Sequence, residues 1–230
     1  MTSQPTIPAD PLENAPSYPT WVTDELLRDY YDTEWGMPVT DERGLFEALS
    51  LEAFQVGLSW RTILARREAF RRVFEGFDPE RVAAFTDHDV ARLLQNEDII
   101  RNERKIRAVI SNARLTLRMR ELAATPRDAS TEDIRLPLIA PSSTPAKEDS
   151  SEAADTRRRR VRTLSDEDLN RMRERTLSDG THVPGGLPAW LWSFAPSETI
   201  APLTQNDIPT DTPESALLAK SFKTLGGVFL

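Results

Sequence analysis

Between Thr20 and about Arg120, apolar side chains recur at three- and four-residue intervals, and proline almost vanishes. Four segments in this stretch open on residues that cap helix N-termini. That pattern suits packed helices and little else. A short helix is expected over about Asp24 to Tyr31. A second follows Pro38, with Thr40 or Asp41 as cap and Leu45, Phe46, Leu49 and Phe54 along it, ending near Gly57. Ser59 caps a third, whose stripe is Ile63, Phe70, Phe74 and Phe77. Asp78-Pro79 opens another, because proline at the first helical position lacks only an amide hydrogen that needed no partner. Thr86 and Asp89 have capping-box spacing ahead of Val90, Leu93 and Leu94. A tight connection over about Asn96 to Asn102 then leads to a helix with Ile106, Val109, Ile110, Ala113 and Leu117 on one stripe. No strand pattern is stronger than the helical one, so the class is all-α, and two helices joined by a short basic hairpin have the outline of a helix-hairpin-helix.

The flanks differ in composition. Residues 1–19 carry Pro5, Pro8, Pro11, Pro16 and Pro19 among small polar residues, too little apolar surface to offset the entropy of ordering, and are expected to be a disordered arm. Residues 20–120 form the helical core. Residues 121–186 are rich in Pro, Ser, Thr and acids, include the run Arg157 to Arg160, and are expected to be a long disordered, low-complexity insert. An amphipathic helix is possible inside it from Ser165 to Arg175. Residues 187–230 bring back Trp190, Trp192 and Phe194, with a last helix from Pro213 to about Leu225, and are expected to complete the same domain.

Charge narrows the possible partners. The 230 residues hold 29 bases and 37 acids, a net charge of −8, which argues against a general polyanion binder. The sum conceals local excess. From Ile100 to Arg120 seven bases face one acid, and from Arg61 to Arg72 five bases face one, so phosphate could dock on those faces. With no Cys and only His88 and His182, thiolate zinc sites, disulfides and His-rich metal centres are excluded; composition leaves an all-carboxylate site open, but neither metal nor cofactor is expected. No apolar run nears the roughly 20 residues that span a bilayer. The proline-rich start without Lys or Arg is no secretory signal, so the chain reads as cytoplasmic and free of membrane; it is also expected to be a monomer.

Aromatic and polar residues concentrate between Tyr30 and Trp60, including Tyr31, Asp32, Trp35, Glu52, Gln55, Gly57, Leu58 and Ser59. Rings flanking one carboxylate suit a flat cationic ligand, because the rings stack on it and the carboxylate accepts from its exocyclic amine. An alkylated purine has that chemistry. The same rings at helical spacing equally make plain core. Glu52 is the more telling residue, since it interrupts the apolar run Leu45 to Phe54, where a carboxylate is costly unless paired or used.

The strings Tyr30-Tyr31-Asp32-Thr33-Glu34-Trp35-Gly36, Leu51-Glu52 with Gln55 and Gly57-Leu58-Ser59-Trp60, and Ile99-Ile100-Arg101 with Lys105-Ile106 together resemble the DNA-3-methyladenine glycosylase I family of base-excision repair. The similarity covers about Trp21 to Met119 and resumes weakly from Trp190 to Phe222. It implies a helical fold of the helix-hairpin-helix DNA glycosylase superfamily, whose enzymes flip a damaged nucleotide from double-stranded DNA and hydrolyse its N-glycosidic bond. By position, Glu52 would be the catalytic carboxylate that reads 3-methyladenine. Tyr30, Trp35 and Gln55 would line the base pocket and Trp60 would close it. Leu58 would be either the apolar plug that fills the vacated stack or a buried loop residue. Arg101, Arg104 and Lys105 would meet phosphates without reading sequence, unless they are an ordinary solvated surface.

The resemblance has limits. The family commonly has His at the position of Tyr31 and Cys and His near both ends, which together bind a structural zinc; those ligands are missing here. The family's glycine before the two isoleucines is Asp98. The family continues past the match to Phe222 into one more apolar helix, whereas this sequence stops at Gly226-Gly227-Val228-Phe229-Leu230, the pattern of a truncated copy. The leading expectation is excision of N3-methylated adenine from DNA. The alternative is a catalytically inactive, truncated helix-hairpin-helix module that only binds DNA.

Overall fold

The computed structural model describes residues 18–126, 135–137, 161–196 and 211–228. Two compact units divide the chain, residues 1–37 and 38–230. The expected arm over 1–19 lies almost wholly outside the described residues, as do residues 127–134 and 138–160 of the expected insert, the latter with its Arg157 to Arg160 run, and Phe229-Leu230.

In the first unit, α1 (Glu25–Thr33) is capped by Asp24, whose side chain accepts the Leu27 amide at 3.0 Å. Ahead of it, Tyr18 donates to the Asp32 carboxylate at 3.0 Å, which ties the incoming strand of chain to the helix surface. That bond also holds the Tyr18 hydroxyl above the usual phenol range, since losing the proton would set two anions together. The helix ends with the Trp35 amide bonded to the Tyr30 carbonyl, and Gly36 takes a left-handed turn that leads out of the unit.

The second unit is built around one long helix. Its elements are α2 (Glu42–Gln55), α3 (Trp60–Leu64), α4 (Arg67–Val73), α5 (Pro79–Ala83), α6 (Asp87–Leu94), α7 (Glu103–Ala123), α8 (Asp166–Arg171), α9 (Leu187–Trp192) and α10 (Pro213–Thr224). Two short antiparallel pairs accompany them, β1 (Arg135–Pro137) with β2 (Val161–Thr163) and β3 (Arg175–Thr176) with β4 (His182–Val183). The capping residues read from sequence act as caps: Asp41 accepts from Gly44, Ser59 from Thr62, Asp78 from Glu80, and Thr86 pairs reciprocally with Asp89.

α7 packs against α2, α5, α6, α8 and α9. It is therefore buried around much of its circumference rather than along one stripe: Leu115, Met119 and Leu122 join the expected Ile106, Val109, Ile110 and Ala113, while Leu117 is only half-buried. Around it Phe46, Phe54, Phe70, Phe74 and Phe77 are fully buried, each ring contributing roughly 1.5–3 kcal/mol by leaving water. The expected single helix from Ser59 to Phe77 is broken. α3 stops at Leu64, and after α4 three successive residues, Glu75, Gly76 and Phe77, take positive φ of 53, 62 and 56°. Arg43 closes that left-handed turn by donating to the Gly76 carbonyl at 2.6 Å, lying where any side chain on residue 76 would have to go.

The boundary of the insert also shifts. Leu164, Leu169, Met172 and Val183 are buried, so residues expected to belong to the insert contribute to the packed core well ahead of 187. Ser165 and Asp168 form the capping box that their spacing suggests. α10 sets Phe222 against Trp190, centroids 5.7 Å apart, and the buried Asn112 of α7 exchanges two hydrogen bonds with the backbone of Val228.

Candidate functional site

The carboxylate belongs to the last turn of α2. Phe46, Leu51, Ala53 and Phe54 anchor that helix in the core, which leaves Glu52 on the opposite side, open to solvent. This corrects the expectation of a buried carboxylate. Glu52 touches water, yet burial still pushes its carboxyl above the usual glutamate range. Enough protein crowds the group to disfavour its charge. A carboxyl so placed prefers a positively charged ligand, which would replace the hydration it has lost.

Immediately after it the chain turns. Gln55 is half-buried and its carbonyl accepts the Leu58 amide at 2.6 Å, while Gly57 supplies φ +79°, a conformation that side chains resist. The turn lifts two apolar residues into solvent, Val56 at 49% and Leu58 at 38% exposure. Of the two alternatives for Leu58, buried residue or outward plug, the first is excluded by this exposure. Ser59 then starts α3, which places Trp60 in its first turn, half-buried against the core.

The first unit holds the aromatic residues. Tyr31 stacks on Trp35 with centroids 5.2 Å apart and rings inclined by 17°; Trp21 contacts Tyr30, Tyr31 and Trp35 at 6.5, 5.7 and 5.9 Å. Tyr18 adds an edge contact to Tyr31 at 5.7 Å. Trp35 remains 40% exposed, so one indole retains a face for a ligand. Tyr30 and Trp35 thus share one ring cluster through Trp21. Tyr18 and Trp21 were not predicted members, because they precede α1 and share no helical spacing with it.

These residues do not fit the zinc that the resemblance implies. The chain has no thiol, Tyr31 is engaged in stacking, and among the described residues no three His, Asp or Glu side chains gather as a metal site.

The basic segment behaves unlike its charge count. Arg107 pairs with Glu103 and Asp87, Arg118 with Glu121, and Arg120 with Glu42 and Glu80, while Arg114 donates to the carbonyls of Ala83 and Phe85. The two carboxylates hold the Arg120 guanidinium far above its usual range. Much of the expected basic face is therefore internal bracing. Arg101 and Arg104 stay exposed, Arg101 with only a 3.7 Å contact to Glu97. Arg66 braces the hairpin from beneath by donating to the carbonyls of Glu97 and Asp98. Asp98 takes no left-handed conformation; its amide instead bonds the Asn96 side chain at 2.9 Å, so the turn forms without glycine. Lys105 departs from expectation. It is 8% exposed, and its amine lies 2.8 Å from the Phe54 carbonyl and 2.5 Å from that of Val56. It faces inward, onto the end of α2, rather than outward as a phosphate-binding base would.

Fold and hairpin together define an all-α, helix-hairpin-helix, glycosylase-like protein. A profile of the methyladenine glycosylases matches residues 21–157, and the chain belongs to that family. It is 50% identical over 102 residues to DNA-3-methyladenine glycosylase 1 of Escherichia coli strain K12, covering 44% of this chain and 54% of that protein. The DNA-3-methyladenine glycosylase of Haemophilus influenzae is 42% identical over 100 residues, 43% of this chain and 54% of its own length. The chain thus spans about half the length of these curated relatives. A crystal structure of 3-methyladenine DNA glycosylase I superposes with a TM-score of 0.58 at 34% identity, covering 90% of this chain and 81% of that one.

Proposed function

We propose that this chain is a DNA glycosylase that releases 3-methyladenine from double-stranded DNA by hydrolysing the N-glycosidic bond, acting as a cytoplasmic monomer without metal or cofactor. The observation that carries this reading is Glu52: a carboxyl at the surface, made proton-seeking by its surroundings, in a family named for methyladenine. Methylation at N3 gives adenine a positive charge and makes it a good leaving group, so the enzyme needs little acid catalysis. What it must supply is preference for the cation and stabilisation of the oxocarbenium-like sugar while water attacks, and an ionised carboxylate favours both.

Tyr30, Trp35 and Trp60 serve as stacking surfaces, and Gln55 contributes hydrogen bonding to the base. Leu58 fills the space in the stack that the flipped nucleotide leaves, consistent with its exposure on a glycine-hinged loop. Arg101 and Arg104 hold backbone phosphates. Measuring free base released from methylated duplex tests the proposal: the wild-type chain should release 3-methyladenine and Glu52→Gln should lose most of that release. No release from the wild type, with duplex binding retained, would instead mark an inactive DNA-binding module.

A further inference from the structure

α2 ends at Gln55, so its last carbonyls have no helical amides ahead of them. They are satisfied from elsewhere. Gln55 is met by the Leu58 amide, and the carbonyls on either side, of Phe54 and Val56, are met by the Lys105 ammonium, about fifty residues downstream. Lys105 sits in the first turn of α7, where its own amide is held at 3.1 Å by the Asn102 cap. A buried ammonium is costly, and burial does lower its pKa; the negative end of the α2 dipole offsets that cost. The loop that it grips carries Val56 and Leu58 outward, and the hairpin just ahead of it carries Arg101.

We infer that Lys105 is a positioning residue, tying the hairpin and the start of α7 to the Val56–Leu58 loop and the Glu52-bearing end of α2, so that phosphate contact and apolar insertion are registered to each other. The inference rests on the proposed glycosylase activity. Reaching a phosphate instead would require Lys105 to give up its contacts to the Phe54 and Val56 carbonyls.

Lys105→Met and Lys105→Arg test this by single-turnover release of 3-methyladenine from methylated duplex, affinity for undamaged duplex across salt, and hydrogen exchange of the Leu58 amide. Lys105→Met should slow release by roughly ten- to hundredfold and speed exchange at Leu58, with duplex affinity and its salt dependence unchanged. Lys105→Arg keeps the charge but not the geometry, and should recover release only in part, again without altering duplex affinity. Loss of affinity for every duplex with a flatter salt dependence would make Lys105 a phosphate contact and overturn the inference. So would unchanged release and exchange in Lys105→Met. Should that variant not fold, Lys105→Arg decides: full activity contradicts positioning and slowed release supports it. A wild-type chain that releases nothing overturns the proposed function and this role with it, whereas an active wild type with indifferent variants overturns this role alone.

Discussion

Two groups of aromatic rings in this molecule have similar contact distances and opposite relations to water. Phe46, Phe54, Phe70, Phe74, Phe77 and Phe85 meet at 4.5 to 6.3 Å and are buried. Tyr18, Trp21, Tyr30, Tyr31 and Trp35 meet at 5.2 to 6.5 Å, but none is fully buried and Trp35 is exposed. Ring contact alone therefore does not make a core. The first group is phenylalanine, with no polar atom to satisfy, and it fills the space around α7. The second group consists of Tyr and Trp, each with a polar edge that tolerates water, so a ring face can stay available for a ligand.

Substitution should separate the two groups. Phe74 stacks on Phe77 at 5.7 Å with ring planes 6° apart and also contacts Phe54, Phe70 and Phe85. Phe74→Ala should cost about 3–5 kcal/mol of stability in chemical denaturation, because the cavity opens inside packed rings. A loss below about 1 kcal/mol would break the contrast by showing that this cluster, too, is dispensable to the fold.

Glu52→Gln is expected to reduce release of 3-methyladenine by roughly a hundredfold or more, the scale for removing one electrostatic stabiliser. Its effect on stability should have the opposite sign. Because the folded carboxyl has the higher pKa, the folded chain takes up the proton more readily, and the ionised group opposes folding above that pKa. Thermal unfolding near neutral pH should thus occur slightly higher in Glu52→Gln. The gain should disappear at acid pH below the unfolded-state pKa, where both states of the wild type are protonated.

Much of the second unit was legible in the sequence because its caps and apolar spacing agree: Asp41, Ser59, Asp78 and Thr86 each start the helix that they announce. What sequence could not show depended on distant partners. Lys105 reads as a surface base because lysine usually is one, and only the end of α2 explains its burial. The left-handed turn at Glu75 to Phe77 depends on Arg43 closing it from another helix. The possible helix after Ser165 was legible in its capping spacing and in Leu164, Leu169 and Met172, but the charged residues around it hid that these side chains are buried within the core. In the candidate site the exposure of Glu52 and Val56 was not legible, because it depends on which face of α2 and its following turn the core covers.

A smaller effect is expected at Trp35. Trp35→Ala should cost about 1 kcal/mol or less in stability, since the indole is partly in water. Release of base should nevertheless fall by roughly ten- to hundredfold, the range for losing one stacking surface. A stability loss equal to that of Phe74→Ala would assign the exposed cluster to the core after all. The smallest change should come from Arg101→Ala or Arg104→Ala, each lowering affinity for all duplexes alike and reducing the salt slope by about one. Unaltered salt dependence in both would remove the hairpin from the DNA interface.

The most direct test of the central claim is the pH dependence of kcat/KM for base release. If an ionised Glu52 selects a cationic base, the wild-type profile should fall on its acid side with a midpoint above the ordinary glutamate value of 4.5, and that limb should be missing from the residual activity of Glu52→Gln. The same limb in both proteins, or a profile flat through that range in the wild type, would contradict the account.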